Sequence, residues 1–219
     1  MLLPESASTY GPQIDRLFWI IVWITGFFFF VVQGFLLFFV LKFRAKPGRR
    51  ASYIHGNTAV EIIWTVIPAG ILLWLTITSQ QLWVNLRDPG QFPQNPLQVE
   101  VVAEQFAWNI RYPGPDNQFE TADDITTINQ MHLPVGEPVR VQLKSKDVIH
   151  SFFVPEFRLK QDAVPGLPTQ VWVQTTRSGQ FDIRCAELCG LGHYRMRGFV
   201  TVESPSQFQA WLSETKANE

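Results

Sequence analysis

The most prominent feature of the sequence is a pair of apolar stretches near its start. The first, residues 17–41, contains no charged residue, and about 20 apolar residues suffice for a helix to cross the hydrocarbon core of a membrane. The second, residues 62–83, is interrupted by Pro68 and a few hydroxyl side chains, which membrane helices tolerate. A helix of this length in a soluble protein usually has a polar face, and residues 17–41 lack one. The pattern predicts a membrane-spanning helical hairpin, with helices at about 17–41 and 62–83.

The segment between the two stretches predicts their orientation. It has no acidic residue over positions 42–50, and its cations are Lys42, Arg44, Lys46, Arg49 and Arg50. Positive residues beside membrane helices stay on the cytoplasmic side, although a merely solvated loop would have a similar composition. Residues 1–16 lack the positive start of a cleaved signal peptide. We therefore expect the N-terminus and everything after about residue 87 to lie outside an inner (cell) membrane, in a periplasm or its equivalent.

After a turn-rich linker at residues 87–96, the hydrophobic period changes to two. Apolar and polar residues alternate over 97–101, 139–144 and 170–174, and residues 198–202 close the series. Short alternating strands separated by glycine and proline are typical of an all-β sandwich or barrel. A final segment opens with Ser-Pro and carries an apolar stripe, which predicts a short helix that packs on the domain. Three parts are predicted: an N-terminal segment with the hairpin (1–96), an all-β domain (97–204), and a C-terminal helix and tail (205–219).

The composition narrows the functions that this architecture can serve. The formal net charge of the 219 residues is −1, so the basic footprint expected of a nucleic-acid-binding protein is missing. Two cysteines do not make a disulfide framework, and no Cys-x-x-Cys-His motif is present to attach haem covalently. The part after residue 97 has a small excess of acidic residues. Such an excess would steer a basic protein partner, or it serves only solubility.

Candidate metal chemistry is concentrated in one short segment near the end of the predicted β domain. Both cysteines of the chain, Cys185 and Cys189, lie there together with His193 and Met196, and His150 lies upstream. Thiolate, thioether and imidazole form the donor set that suits copper. A single blue-copper site needs only one cysteine. Two thiolates can instead bridge two coppers, with the histidines terminal on separate metals.

Two other interpretations of the same residues stay open at this point. Cysteines four positions apart could form a disulfide, but bridge geometry is strict and so short a loop strains it. Two cysteines and two histidines could form a closed zinc site, although the usual spacing pairs the histidines and zinc does not need Met196. His132, the remaining histidine of the β part, is interpreted as structural because the copper donor set is complete without it.

The pattern C-x-E-x-C-x3-H-x2-M with an upstream histidine resembles the binuclear copper (CuA) site of cytochrome c oxidase subunit II, and the resemblance extends from residue 17 to about 211. It implies a cupredoxin-like β domain in which Cys185 and Cys189 bridge both coppers. His150 and Met196 would complete one copper, while His193 and the backbone carbonyl of Glu187 would complete the other. In the family the side chain at Glu187 also reaches a magnesium ion at the boundary with subunit I.

The resemblance also implies a role in respiration. The subunit would accept electrons from a cytochrome c-type donor and pass them to the haem of subunit I, where oxygen is reduced to water with coupled proton translocation. Glu61, at the cytoplasmic start of the second helix, matches the family's glutamate at the mouth of a proton pathway. An ionisable group at a membrane helix end favours such a role, whereas a carboxylate that only complements the helix dipole is the alternative.

The chain departs from the family pattern in the segment Gln-Phe-Ala-Trp, residues 105–108. The family has a tryptophan directly after this glutamine, which receives electrons from cytochrome c. Here Phe106 occupies that position and Trp108 matches the second tryptophan of the motif, and we expect electrons to enter at these two residues. We therefore expect a non-standard donor, such as a tethered cytochrome or a cytochrome within a partner complex. In addition, Leu167 occupies the place of the family's arginine, although Asp162 and Gln170 are retained.

Three rival functions share parts of this pattern. A quinol oxidase subunit II has the same fold but is expected to lack the copper-binding residues. A nitric oxide reductase subunit would share both the copper site and the anchor, and only its partner subunit would distinguish it. A membrane-anchored copper-binding or copper-delivery protein would hold one Cu(I) ion, whereas an electron relay should hold two coppers.

Overall fold

The computed structural model describes residues 3–217 and contains two long helices near the N-terminus. Helix α1 spans Gly11–Lys42 and helix α2 spans Thr58–Arg87, so both extend beyond the apolar stretches that predicted them. Their apolar windows are exposed on all sides. The hydroxyls of Thr65, Thr76 and Thr78 donate to carbonyls one turn earlier at 2.8–2.9 Å, which satisfies these polar groups without water. Length and composition allow both helices to cross a membrane.

The β domain contains ten strands, three single-turn 3-10 helices and a C-terminal helix. The strands are β1 Leu97–Glu104, β2 Ala107–Tyr112, β3 Ile125–Ile128, β4 Gln130–Pro134, β5 Pro138–Ser145, β6 His150–Val154, β7 Leu159–Ala163, β8 Thr169–Gln174, β9 Gly179–Cys185 and β10 Arg197–Glu203, and helix α3 is Pro205–Ala217. They form two five-stranded sheets, ordered β3-β2-β1-β5-β8 and β4-β10-β9-β6-β7. The predicted fold class, two membrane helices followed by an all-β cupredoxin-like sandwich, is confirmed.

The alternation seen in the sequence becomes the inside and outside of this sandwich. Strand β5 alternates between buried valine or leucine and half-buried polar residues, and strand β2 buries Trp108, Ile110 and Tyr112 in the same way. Helix α3 closes one side of the domain because Phe208 is buried and Trp211 packs against the Tyr112 ring at 5.2 Å between centroids. The predicted apolar stripe therefore packs on the domain itself.

The N-terminal segment, residues 3–12, is part of the β domain. Ser8 forms a β-bridge with Thr175, and its hydroxyl donates to the Phe157 carbonyl at 2.8 Å. Tyr10 is buried edge-on against Trp172, with ring centroids 5.3 Å apart. The two compact units are therefore residues 13–83 and the N-terminal segment with residues 84–217, whereas the predicted division grouped everything before residue 97 with the helices. This pairing requires the N-terminal segment and the β domain to lie on the same side of the membrane, as two crossings also require.

Candidate metal centre

Strand ends of the second sheet bring the predicted metal donors together. His150 is the first residue of β6 and Cys185 is the last residue of β9, and these strands are antiparallel neighbours in which Phe152 pairs with Cys185. The chain then forms a loop, residues 186–196, before β10 returns beside β9. Cys189, His193 and Met196 lie on this loop, which ends in a 3-10 turn at His193–Arg195. We call residues 186–196 the metal loop.

The donor atoms lie within a few ångströms of one another. The two cysteine Sγ atoms are 3.8 Å apart, and Cys189 Sγ lies 3.6 Å from His193 Nδ1 and 3.8 Å from Met196 Sδ. His150 Nδ1 lies 3.2 Å from Met196 Sδ and 3.9 Å from Cys185 Sγ. The sequence-predicted side-chain donors therefore converge on one point of the domain.

The predicted backbone donor also lies at this point. The Glu187 carbonyl oxygen is 3.2 Å from Cys185 Sγ, while the Glu187 side chain is exposed. A magnesium ion prefers six oxygen ligands, and the only group of three or more histidine, cysteine or acidic side chains brought together in residues 3–217 is His150, Cys185 and Cys189. The magnesium ligand expected of the Glu187 carboxylate stays a prediction.

The centre is buried on one side and open on the other. His150, Cys189 and Met196 are at most 3% exposed, whereas Cys185 and His193 are half-buried. Burial raises the pKa of the Cys189 thiol to about 11, and the neighbouring Cys185 contributes to this rise. The Cys189 thiol must therefore lose a proton to bind a metal as a thiolate, so metal binding at this residue releases a proton.

The distances and the donor types bear on the two alternative interpretations of the cysteines, a disulfide and a zinc site. Both are free thiols, and their sulfurs are far beyond the roughly 2.05 Å of a disulfide bond. A structural zinc site is closed by four ligands, whereas here two sulfurs, two imidazoles, a thioether and a carbonyl converge. Six donors of this softness fit copper better than a single zinc ion.

Asp147 supports the centre from outside the donor set. Its Oδ1 lies 2.8 Å from His150 Nε2, which fixes the imidazole proton on Nε2 and leaves the Nδ1 lone pair directed at the sulfurs. Burial disfavours the Asp147 carboxylate, but hydrogen bonds from His150 and from the backbone N–H groups of Gln105 and Val148 outweigh it and lower its pKa. We did not predict this residue from the sequence, although its position three residues before His150 could have indicated it.

The two aromatic residues predicted to receive electrons lie in different environments. Trp108 is completely buried, with its ring 6.2 Å from that of His150. Phe106 is 38% exposed at the surface. The side-chain amide of the preceding Gln105 donates to the Cys189 carbonyl at 2.5 Å, so this segment is attached directly to the metal loop.

The structure also gives the surroundings of the other residues singled out from the sequence. His132 stacks on Trp211 with centroids 4.1 Å apart, and its Nδ1 lies 2.8 Å from a Glu203 carboxylate oxygen, which fits a structural role. Leu167 is 60% exposed. Glu61 lies in the first turn of α2, where the Asn57 side chain accepts a hydrogen bond from Val60 N at 3.2 Å.

Comparisons with known proteins agree with this arrangement. A family model described as the periplasmic domain of cytochrome c oxidase subunit II matches residues 111–204, and one described as its transmembrane domain matches residues 1–82. The chain is 37% identical to the alternative cytochrome c oxidase subunit 2 of Bradyrhizobium diazoefficiens, over 96% of this chain and 82% of that protein. It is 31% identical to cytochrome c oxidase subunit 2 of Thermostichus vulcanus, over 99% and 79%.

Among solved structures, the chain is similar to the periplasmic domain of subunit II of cytochrome oxidase from Bradyrhizobium japonicum. The sequence identity is 30% and the TM-score is 0.49, with 57% of this chain and 97% of that one covered.

Proposed function

Because the chain belongs to the cytochrome c oxidase subunit II family, we propose that it is the electron-input subunit of a respiratory haem-copper oxidase. It is a membrane-anchored protein with two membrane helices and a periplasmic domain. We place the anchor in the inner membrane, beside the haem-copper subunit I and other oxidase subunits. The chain would deliver electrons to the haem of subunit I for the reduction of oxygen to water with coupled proton translocation.

The convergence of the donor atoms carries this proposal. Cys185 and Cys189 have their sulfurs 3.8 Å apart and can each contact two ions, so the six donors supply four to each of two metals. His150 with Met196, and His193 with the Glu187 carbonyl, are the terminal pairs. When bound, a pair of coppers (CuA) supplies a redox unit that shares one electron over two ions. The protein contributes a fixed donor set that changes little when the electron arrives or leaves.

The surroundings of the donors fit an electron relay. Buried His150 and Met196 exclude water from one side, and the exposed side of the metal loop is accessible to another protein. Phe106 is an exposed aromatic residue whose neighbour Gln105 is hydrogen-bonded to this loop, and we propose it as the residue that receives electrons from a cytochrome c-type donor. Trp108 lies behind it in the core, where it packs against Phe152 and His150 and supports the copper donor set.

Metal analysis of the purified oxidase tests the proposal. We expect two coppers in this chain, in addition to the copper of the haem-copper subunit, and, after partial oxidation, an electron paramagnetic resonance spectrum whose hyperfine pattern shows one electron shared by two copper nuclei. A zinc ion, or a single copper whose hyperfine pattern comes from one nucleus, would refute the relay. Copurification of a haem-copper subunit I is expected as well. Its absence, together with one Cu(I) per chain, would favour a copper carrier.

We also propose that Glu61 receives protons for subunit I on the cytoplasmic side. Glu61→Gln should lower steady-state oxygen reduction and proton uptake, while the copper signal and the first electron transfer from the donor stay unchanged. If Glu61 only complements the helix dipole, the substitution should cost no more than about 1 kcal/mol of stability and leave turnover at the wild-type rate. Stopped-flow turnover with a pH indicator, set beside a thermal unfolding curve, separates these outcomes.

A further inference from the structure

The Phe106 ring rests directly on the backbone of the metal loop. A methyl group added at Gly192 would lie within 2.7 Å of three ring carbons, Cδ2, Cγ and Cε2. Non-bonded carbon atoms are most stable at about 3.5–4.0 Å, so the ring occupies the space that a side chain at Gly192 would need. The ring also approaches Gly190, where an added methyl would lie 3.3 Å from Cε1 and Cζ.

The backbone at Gly192 does not itself require glycine. Its φ and ψ are −91° and 4°, a combination that residues with side chains adopt. Gly190 differs because its φ is +134°, where a side chain would be strained. The nearest obstacle to a side chain at Gly192 is therefore the Phe106 ring and not the backbone conformation.

The segment that carries Phe106 is fixed to the centre at two points. Gln105 donates through its side chain to the Cys189 carbonyl at 2.5 Å and through its backbone N–H to Asp147 Oδ2 at 2.7 Å. Asp147 in turn contacts His150. One face of the ring is thus held against the loop between Cys189 and His193, and more than a third of the side chain stays exposed to a docking protein.

We propose that Gly192 is a positioning residue for electron transfer from the donor. Without a side chain, it lets the Phe106 ring lie in van der Waals contact with the metal loop one residue before His193. This inference rests on the proposed function, because the contact has a purpose only if electrons reach the centre through the ring. The rate of electron transfer through a protein falls steeply when a gap between contacting atoms is added to its path. Moving the Phe106 ring away from the metal loop should therefore slow the transfer from the donor to the centre and no other step.

Gly192→Ala in the purified oxidase complex tests the proposal. We expect the rate at which the reduced donor loses its electron to the centre to fall several-fold, because the displaced ring leaves a longer path to the metal loop. The copper content, the spectrum of the centre and the internal rate from the centre to the haem should match the wild type. Rapid mixing with donor gives the first rate, and flash-induced reduction of the centre gives the internal one.

The matched control is Phe106→Ala, alone and combined with Gly192→Ala. Phe106→Ala should itself slow donor oxidation, and adding Gly192→Ala should then change nothing, because no ring is left to displace. An unchanged donor rate in Gly192→Ala would overturn the proposal. So would an equal slowing by Gly192→Ala in both backgrounds, or a slowing that accompanies loss of copper. Failure of the proposed function is distinct, since the wild-type complex itself would then lack the shared-electron spectrum.

Discussion

Cys189→Ser is expected to abolish the two-copper centre. Cys189 Sγ lies within 3.8 Å of the Cys185, His193 and Met196 donor atoms, and the residue is only 3% exposed. A serine hydroxyl is a harder donor and stays protonated at neutral pH, so it cannot bridge two coppers as a thiolate does. The chain should hold one copper at most, and the shared-electron spectrum should be absent.

The oxidase complex should lose its activity with the donor as a consequence. Loss of a residue that is hydrogen-bonded to a metal ligand typically lowers metal affinity or activity roughly 10- to 100-fold. Loss of a bridging donor should lower them more. Copper analysis, electron paramagnetic resonance and donor oxidation measure the three effects. Near-ultraviolet circular dichroism should show an intact fold, because serine is close to cysteine in size.

Cys185→Ser provides the discriminating control for this prediction. If both sulfurs bridge, the two serine variants should lose the shared-electron spectrum equally, although Cys185 is the more exposed of the two residues. A single blue-copper site would need only one of the thiolates, so one variant would then keep a one-copper centre with wild-type spectrum and activity. That result would contradict the binuclear proposal.

Local patterns in the sequence were sufficient for the fold class and for most of the side chains that the structure brings together at the metal loop. An uninterrupted apolar run predicts a membrane helix whatever the rest of the chain does, and alternation within β5 is visible in its eight residues. The donors Cys185, Cys189, His193 and Met196 are close in sequence, so the chemistry that they share can be recognised from their spacing alone. His150 is distant in sequence, and the pairing of strand β6 with strand β9 brings it beside Cys185.

The contributions that the sequence did not reveal depend on long-range pairing. The N-terminal segment is short and polar, without a periodicity of its own, and its place on the domain comes from the bridge between Ser8 and Thr175. Gln105 contacts the metal loop because it lies in the turn between strands β1 and β2, which ends beside that loop. Gly192 is one glycine among 14 in the chain, and only the position of the Phe106 ring distinguishes it.

Ion pairs within the domain do not alter the acidic excess that the residue count gives. The acidic excess of the β part predicted steering of a basic donor, but several of these carboxylates are engaged within the domain. Glu100 is fully buried, and its carboxylate lies 2.8 Å from Arg111 and 2.5 Å from Lys144. Asp182 pairs with Arg184 and Arg197 at 2.8 and 2.6 Å. Each of these carboxylates is matched by cations that the same count includes, so the pairing leaves the net acidic excess unchanged, and the attraction for a basic donor stays a prediction.

Asp147→Asn is expected to weaken the centre without removing any donor. The carboxylate accepts from His150 through Oδ1 and from Gln105 N through Oδ2, whereas an asparagine has only one acceptor oxygen and must lose one of these bonds. It also loses the negative charge that strengthens the bond to His150. The imidazole becomes a weaker base and is held less firmly, so copper retention against a competing chelator should fall roughly 10- to 100-fold.

The reduction potential of the centre should change in a defined direction. Asp147→Asn weakens the histidine donor and removes a nearby negative charge. Both changes destabilise the oxidised centre more than the reduced one, so the reduction potential should rise. Redox titration of the purified complex measures this shift, and the internal rate to the haem should fall because its driving force is smaller. Lys146→Gln is the matched control: it changes the adjacent residue, whose amine pairs with Glu104 at 2.6 Å rather than with the centre. Equal potentials and equal copper retention in Asp147→Asn and Lys146→Gln would mean that the contact between Asp147 and His150 does not tune the metal.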